Sequence, residues 1–323
     1  MTRLGIARAF LWSIVLAGIA VASPQSPPEP SALEQDLARA EAAGDWARAR
    51  EIASLLAERA ETAHVESLYR LARLHALAGQ RDAACEVLER IPQAGLFDVG
   101  QLRRDDAFAA MRGDERFQKA ARAIWFKGYL WLLERSERDD YQKPEQVMAT
   151  LAFRPGERVA DVGAGSGYFT RRVARAVEPG GTVWAIDIAP DVLAYLEKRV
   201  AEEGLRNVRA QRVSADDPQL PPAGIDTVLM VDTLHYVPKD GRAAYARKLR
   251  AGLAPGGRVV IIDFLPKPIE ERPWGPPPQQ KMSREEVDAA MAEAGLLPVR
   301  VHDFLTEQFF VEYQPGGARD VVR

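Results

Sequence analysis

Val159-Ala160-Asp161-Val162-Gly163-Ala164-Gly165-Ser166-Gly167-Tyr168 decides how the second half of this chain folds. The residues before the first glycine are apolar and β-branched or small, with one acid, and read as a buried strand. A helix is predicted from Tyr168 to Val177. A strand, a glycine turn and a helix in that order place bare main chain in the crevice beyond the strand's carboxyl end. Open α/β sheets bind their ligands there. The spacing restricts the ligand. A dinucleotide site asks for G-x-G-x-x-G, so that a pyrophosphate rests on the helix N-terminus. Here the third glycine comes one position early, and Tyr168 stands where that motif has glycine. The spacing therefore speaks against a nicotinamide-dependent oxidoreductase.

The pattern continues on both sides. Short apolar or β-branched runs predict strands at Arg158–Val162, Thr182–Asp187, Val208–Val213, Ile225–Val231 and Arg258–Phe264. Helical stretches separate them at Tyr168–Val177, Pro190–Glu203 and Lys239–Leu253. Strands alternating with helices imply an α/β, doubly wound, mostly parallel Rossmann-like sheet. Three strands follow similar turns, Arg154-Pro155-Gly156, Glu178-Pro179-Gly180-Gly181 and Ala254-Pro255-Gly256-Gly257, where Pro presets φ and Gly permits φ > 0. A helix at Ser283–Gly295 and closing strands at Leu297–Phe304 and Glu307–Tyr313 complete the unit, which spans 139–313. A tail of 314–323 follows.

The form D-x-G-x-G-x-G at Asp161 to Gly167 resembles the first motif of class I S-adenosylmethionine (SAM)-dependent methyltransferases. The Leu253-Ala254-Pro255-Gly256-Gly257 turn is similar to theirs as well. The resemblance covers about residues 139–313 and is closest to the small-molecule group that includes quinone-biosynthesis enzymes. It implies SAM as cofactor and an unidentified methyl acceptor. It also implies that Gly163, Gly165 and Gly167 line the cofactor, and that Asp161 helps hold the methionyl ammonium. Asp187 ends the second strand 20 residues beyond Gly167, where a carboxylate can accept both ribose hydroxyls. After the third strand the family often sets an acid against the adenine amino group. Asp216 is preferred for this role over Asp217, and a solvated turn is the other reading.

The acceptor side is less specified. Asp232 and His235 follow the fourth strand, where substrate meets cofactor, and are the candidates for a polar contact or general base. Similar Leu-His turns in the family also carry a purely structural histidine. Methyl transfer asks little of side chains, because the sulfonium already activates the methyl group and in-line placement supplies much of the rate. The segment Glu137–Glu145 lies where class I enzymes fold a helix over the cofactor, with Tyr141 against the methionyl moiety. Pro266–Pro278, with Trp274, reads as an acceptor loop or a semi-rigid linker. The string Gly-Ser-Gly-Tyr-Phe-Thr is similar to protein isoaspartate methyltransferases, which makes a protein carboxylate an alternative acceptor.

The first half of the chain is different. Residues 31–133 are rich in Ala, Leu, Glu and Arg and read as all-α. Turn signals at Gly44-Asp45-Trp46 and Gly79-Gln80-Arg81 lie 35 positions apart, close to the tetratricopeptide period of about 34. Ala49 and Ala84 follow each glycine by five residues, where a second helix packs closely. These features resemble tetratricopeptide repeats and suggest a protein partner, and a repeat protein with an inactive SAM-binding domain is a further alternative. Leu96, Phe97, Leu102, Phe108, Met111 and Phe117 are expected to cap the last repeat.

Before the repeats, Arg3 and Arg8 flank an apolar run from Ala9 to Ala22 that Ser13 alone interrupts, ending in Ala20-Val21-Ala22. This is the signal-peptide pattern for 1–22, with a Pro-rich linker at 23–30, and it predicts export after cleavage, or a membrane anchor if uncleaved. The 323 residues carry a formal net charge of −3, one cysteine (Cys85) and four histidines. No basic footprint for nucleic acid and no metal-ligand spacing is present in that sequence.

Overall fold

The computed structural model describes residues 64–316, apart from 269, 273, 274, 278 and 279, with scattered positions between 35 and 48. The signal segment, the Pro-rich linker, Gly44 of the first repeat turn, Trp274 and the tail beyond 316 lie outside the described residues. The chain divides into two compact units at Trp131/Leu132.

The first unit is helical. A helix covers residues 64–77, and Gly79 at φ 74° turns the chain into the helix Arg81–Leu88. Ala72 of the first of these helices and Ala84 of the second are completely buried. Two short helices follow, Ile91–Ala94 and Val99–Arg104, then a 3-10 turn at Asp106–Met111 and the long helix Glu115–Glu134. Leu102, Phe108, Met111 and Phe117 are buried, whereas Leu96 stays exposed.

The second unit is built on seven strands: β1 (Arg158–Val162), β2 (Thr182–Asp187), β3 (Val208–Arg212), β4 (Ile225–Val231), β5 (Leu253–Phe264), β6 (Leu296–His302) and β7 (Gln308–Pro315). Their order is β3-β2-β1-β4-β5-β7-β6. The first five are mutually parallel, and β7 runs antiparallel between β5 and β6. β4 and β5 are apolar along most of their length because helices cover both faces of the sheet. On one face Val228, Met230 and Ile261 pack with Tyr245 and Leu249 of the helix Arg242–Gly252 and with Val287 and Met291 of Arg284–Glu293. On the other face Val159, Leu229 and Val260 pack with Val147 and Leu151 of Pro144–Leu151, Val173 of Thr170–Ala176 and Leu196 of Pro190–Glu202. Ser283 opens its helix with a reciprocal capping box to Glu286.

One expected boundary is corrected. Ala254-Pro255-Gly256-Gly257 is not a turn ahead of the fifth strand but a bulge within it. Ile225 pairs with Leu253 and Thr227 with Arg258, so the extra residues of β5 loop out of register. Pro255 is tolerated there because a bulge releases its position from the ladder.

The strand order positions the site. The chain leaves β1 towards β2 and β3, then returns to place β4 on the opposite side of β1. The carboxyl ends of β1 and β4 thus lie side by side at the topological switch point, where α/β sheets open a crevice.

Candidate functional site

The glycine loop leaves β1 and rests on β2. Gly163 and Ala164 both donate their N–H to the carbonyl of Ile186, at 2.8 and 3.0 Å. Gly163 sits at φ 80°, and a Cβ there would lie 2.2 Å from Thr233 Oγ1 and 2.4 Å from its Cγ2. Glycine is required at this point on two counts, a left-handed backbone and contact with the loop after β4. Gly165 and Gly167 line the same bend, Gly165 beside Leu133 and Gly167 beside Leu196. Between them Ser166 is buried, and its Oγ has no hydrogen-bond partner among the described residues.

Asp187 ends β2 as expected and faces this loop. Its Oδ2 accepts the N–H of Gly165 at 2.9 Å and its Oδ1 that of Ala189 at 2.9 Å. The carboxylate therefore fixes the loop and opens the next helix, while each oxygen keeps capacity for another donor. Burial pushes its pKa up, against the three backbone N–H groups of Ala189, Gly165 and Ile188.

Asp161 lies deeper, at 3% exposure, and its Oδ2 accepts the Thr170 hydroxyl at 2.6 Å. Burial lifts its pKa to about 6, the Thr170 hydrogen bonds oppose this, and Asp187 adds repulsion. Asp216 sits on an exposed turn after β3. Lys248 steadies that turn, donating to the Asp216 carbonyl at 2.6 Å and pairing with Asp217 at 3.2 Å. The Val213 N–H bonds to the Asp187 carbonyl at 3.1 Å, so the turn begins beside the end of β2.

Beyond β4, Asp232 takes φ 50°, uncommon for a residue with a side chain. Its N–H bonds to the Ile262 carbonyl at 2.8 Å. Gln142 Nε2 donates to Oδ2 at 2.5 Å and Gln308 Nε2 to Oδ1 at 2.6 Å. His235 is 4% exposed, and its Nδ1 is 2.7 Å from Oδ1 of the fully buried Asp263. Asp263 also accepts the N–H of His235 at 3.2 Å and that of Phe264 at 2.8 Å. This anchors the imidazole within the β4–β5 edge.

The segment before the sheet forms the helix Arg138–Gln142, broken from Pro144–Leu151 by Lys143 at φ 43°. Arg138 donates to Gln142 Oε1 at 3.0 Å and lies 4.1 Å over the ring of Tyr168. Arg172 covers the same ring at 4.4 Å, and the Tyr168 hydroxyl donates to Asp139. Tyr141 is half-buried, 6.1 Å from the Phe264 ring, and burial raises its pKa.

The glycines, Asp161, Asp187, Asp232 and His235 thus all gather at the carboxyl ends of β1, β2 and β4, with Asp216 at the rim beyond β2. Four participants were not singled out in the sequence reading: Arg138 and Gln142, which lie in the segment Glu137–Glu145 expected over the cofactor, and Asp263 and Gln308. Two of them carried a local signal. Asp263 is a lone acid in Val259-Val260-Ile261-Ile262-Asp263-Phe264, and Gln308 opens the apolar run Phe309-Phe310-Val311.

Residues 159–257 match a family model described as a methyltransferase domain. A protein-L-isoaspartate O-methyltransferase of Aeropyrum pernix is 36% identical over 117 residues, covering 36% of this chain and 42% of that protein. Nocamycin O-methyltransferase of Saccharothrix syringae is 35% identical over 126 residues, covering 38% and 44%. The ubiquinone/menaquinone biosynthesis C-methyltransferase of Ralstonia pickettii is 30% identical over 118 residues, covering 36% and 47%. The chain thus spans less than half the length of these curated relatives. Among solved structures, a SAM-dependent methyltransferase from Aquifex aeolicus is 26% identical with a TM-score of 0.53, covering 57% of this chain and 96% of that one.

Proposed function

The α/β unit being a class I SAM-dependent methyltransferase domain, we propose that this protein transfers a methyl group from SAM to an acceptor bound at the carboxyl edge of β1 and β4. The observation that carries the reading is the Asp187 carboxylate, held 2.9 Å from Gly165 N at the lip of a glycine bend whose first residue, Gly163, has no room for a Cβ. These residues fit SAM. The bend admits a nucleoside against main chain, and the unpartnered Ser166 hydroxyl offers a further polar contact. Asp187 offers acceptors to two ribose hydroxyls, and Asp161 offers negative charge to the methionyl ammonium. Asp216 is at the adenine end. When bound, SAM supplies an activated methyl group. The protein's part is to grip the nucleoside, align the acceptor and exclude water.

Asp232 and His235 serve the acceptor side in this reading. Asp232 is only half-buried and its carboxylate is held by two neutral amides, whereas the hydrogen bonds of His235 to Asp263 favour a positioning role. The identity of the acceptor is open between a small molecule and a protein carboxylate. The helical unit is proposed to be of tetratricopeptide type and to dock a protein partner, on the strength of the Gly79 turn and the buried Ala84. Export of the chain is proposed from the sequence of residues 1–22 alone.

Titration calorimetry with SAM, S-adenosylhomocysteine and NAD tests the cofactor assignment. SAM and its product should bind and NAD should not. Asp187→Ala should weaken SAM by about 1–3 kcal/mol, the cost of losing hydrogen bonds to a charged acceptor. Unchanged affinity in a variant with a normal melting curve refutes the ribose role.

A further inference from the structure

Asp232 is held in a way that orients a carboxylate without neutralising it. Each oxygen accepts one N–H from a neutral amide, Gln142 on the helix before the sheet and Gln308 on β7. Both glutamines are buried, at 1% and 2% exposure, and Gln142 is fixed in turn by Arg138 at 3.0 Å. Asp232 as a residue is only half-buried, and each of its oxygens has the capacity to accept one more hydrogen bond. A direct Arg or Lys pair would depress the basicity of such a group, whereas two amides largely preserve it. Two of the groups that interact with its charge carry rings, Tyr141 and His235. Tyr141 and His235 each lie about 6 Å from Phe264 (6.1 and 6.0 Å), and Tyr236 lies 4.0 Å from His235.

We infer that Asp232 is the base that receives the proton of an aromatic hydroxyl on the methyl acceptor, with Gln142 and Gln308 as the residues that position it. This rests on the methyl-transfer reading above and narrows its acceptor. The hydroxyl oxygen forms the new O–C bond as the S–C bond of SAM breaks. The electron pair of that bond stays on sulfur, which becomes a neutral thioether. The hydroxyl proton passes to Asp232 and then to water. A carboxylate acceptor meets repulsion from Asp232. A cationic amine meets the positive charge of Arg138 and of the sulfonium.

The electrostatics agree. Burial and the neighbouring Asp263 raise the Asp232 pKa to about 7, against Arg138, His235 and the Gln308 hydrogen bond. Tyr141 and Arg272 also feel its charge. A base titrating there is half ionised at neutrality and increasingly ionised above it, a range matched to receiving a phenol's proton.

The test uses the full chain saturated with S-adenosylhomocysteine, whose binding is measured first. Failure at that step removes the methyltransferase reading itself. Three para-methyl aromatic probes follow by calorimetry between about pH 6 and about pH 8: 4-methylphenol, 4-methylbenzoate and 4-methylbenzylamine. The phenol should bind best and tighten as pH rises through the Asp232 titration. Asp232→Asn should bind it roughly tenfold more weakly at the alkaline end and without the pH dependence, while S-adenosylhomocysteine affinity is kept. Gln308→Leu, which leaves the carboxylate in place, should move the pH midpoint upward. Absence of phenol binding, tighter binding of the benzoate or the amine, or an unmoved profile in both variants overturns the inference.

Discussion

Gly163→Ala isolates the feature on which the site is built. The added Cβ would stand 2.2 Å from Thr233 Oγ1, 2.4 Å from Cγ2 and 2.8 Å from Cβ, at a backbone φ of 80°. A left-handed alanine costs about 1–2 kcal/mol. Forced overlap in a packed site adds about 1–3 kcal/mol. Against this, alanine removes roughly 0.4–1 kcal/mol of unfolded-state freedom. The net loss should be about 2–4 kcal/mol, which for a unit of this size lowers the melting temperature by roughly 5–15 °C. Urea unfolding of Gly163→Ala, Thr233→Gly and the double variant measures it. Thr233→Gly alone loses the hydroxyl bond to the Val231 carbonyl at 2.9 Å and is itself destabilising. In the double variant the overlap disappears, so its cost should fall about 1–3 kcal/mol short of the sum of the single costs. A Gly163→Ala protein as stable as the parent, or strictly additive costs, refutes the claim that the β1 and β4 loops touch at this glycine.

Other outcomes follow from the buried acids. Asp161 has a folded pKa of about 6, above its unfolded value, so its stabilising contribution is complete in acid and fades as pH rises towards and through 6. At about pH 8, Asp161→Asn should therefore raise the stability of the ligand-free protein, by at most about 3 kcal/mol, and flatten this part of the pH profile seen by thermal melts; a parent and variant with parallel profiles contradict it. SAM binding near pH 6 should release protons in the parent and fewer in Asp161→Asn, because a bound ammonium favours the carboxylate; calorimetry in buffers of different ionisation enthalpy reads this directly. His235→Ala should cost about 2–3 kcal/mol of stability by removing a bond to the buried Asp263, with SAM affinity little changed; a large loss of SAM affinity in a stable variant would assign His235 to the cofactor instead.

The fold was largely legible in the sequence because its signals are local. Apolar runs of strand length alternate with helical stretches, and Gly163, Gly165 and Gly167 fall between a strand and a helix where backbone freedom is needed. Asp187 was legible for the same reason, since it ends a strand at a definite spacing from the loop. Its second task was not foreseen: it accepts the N–H groups of Gly165 and Ala189 and so organises the loop before any ligand arrives. The clamp on Asp232 was out of reach. Gln142 lies 90 residues before it and Gln308 76 residues after it. A glutamine has no periodic or turn signature, and its meaning comes from the element the fold sets beside it. Antiparallel insertion of β7 next to β5 brings Gln308 into register with Phe264 at the edge where Asp232 emerges. The bulge in β5 was misread for a related reason. Pro-Gly-Gly marks a break in regular pairing, but whether that break separates two elements or bends one depends on the partner strand.

A crystal structure of the protein grown with S-adenosylhomocysteine is the most direct examination of the cofactor assignment. The nucleoside should lie across the Gly163–Gly167 bend with both ribose hydroxyls on the Asp187 carboxylate and its sulfur turned towards the Asp232 side of β4. A bound nucleoside elsewhere on the sheet, or a ribose that makes no contact with Asp187, would contradict it.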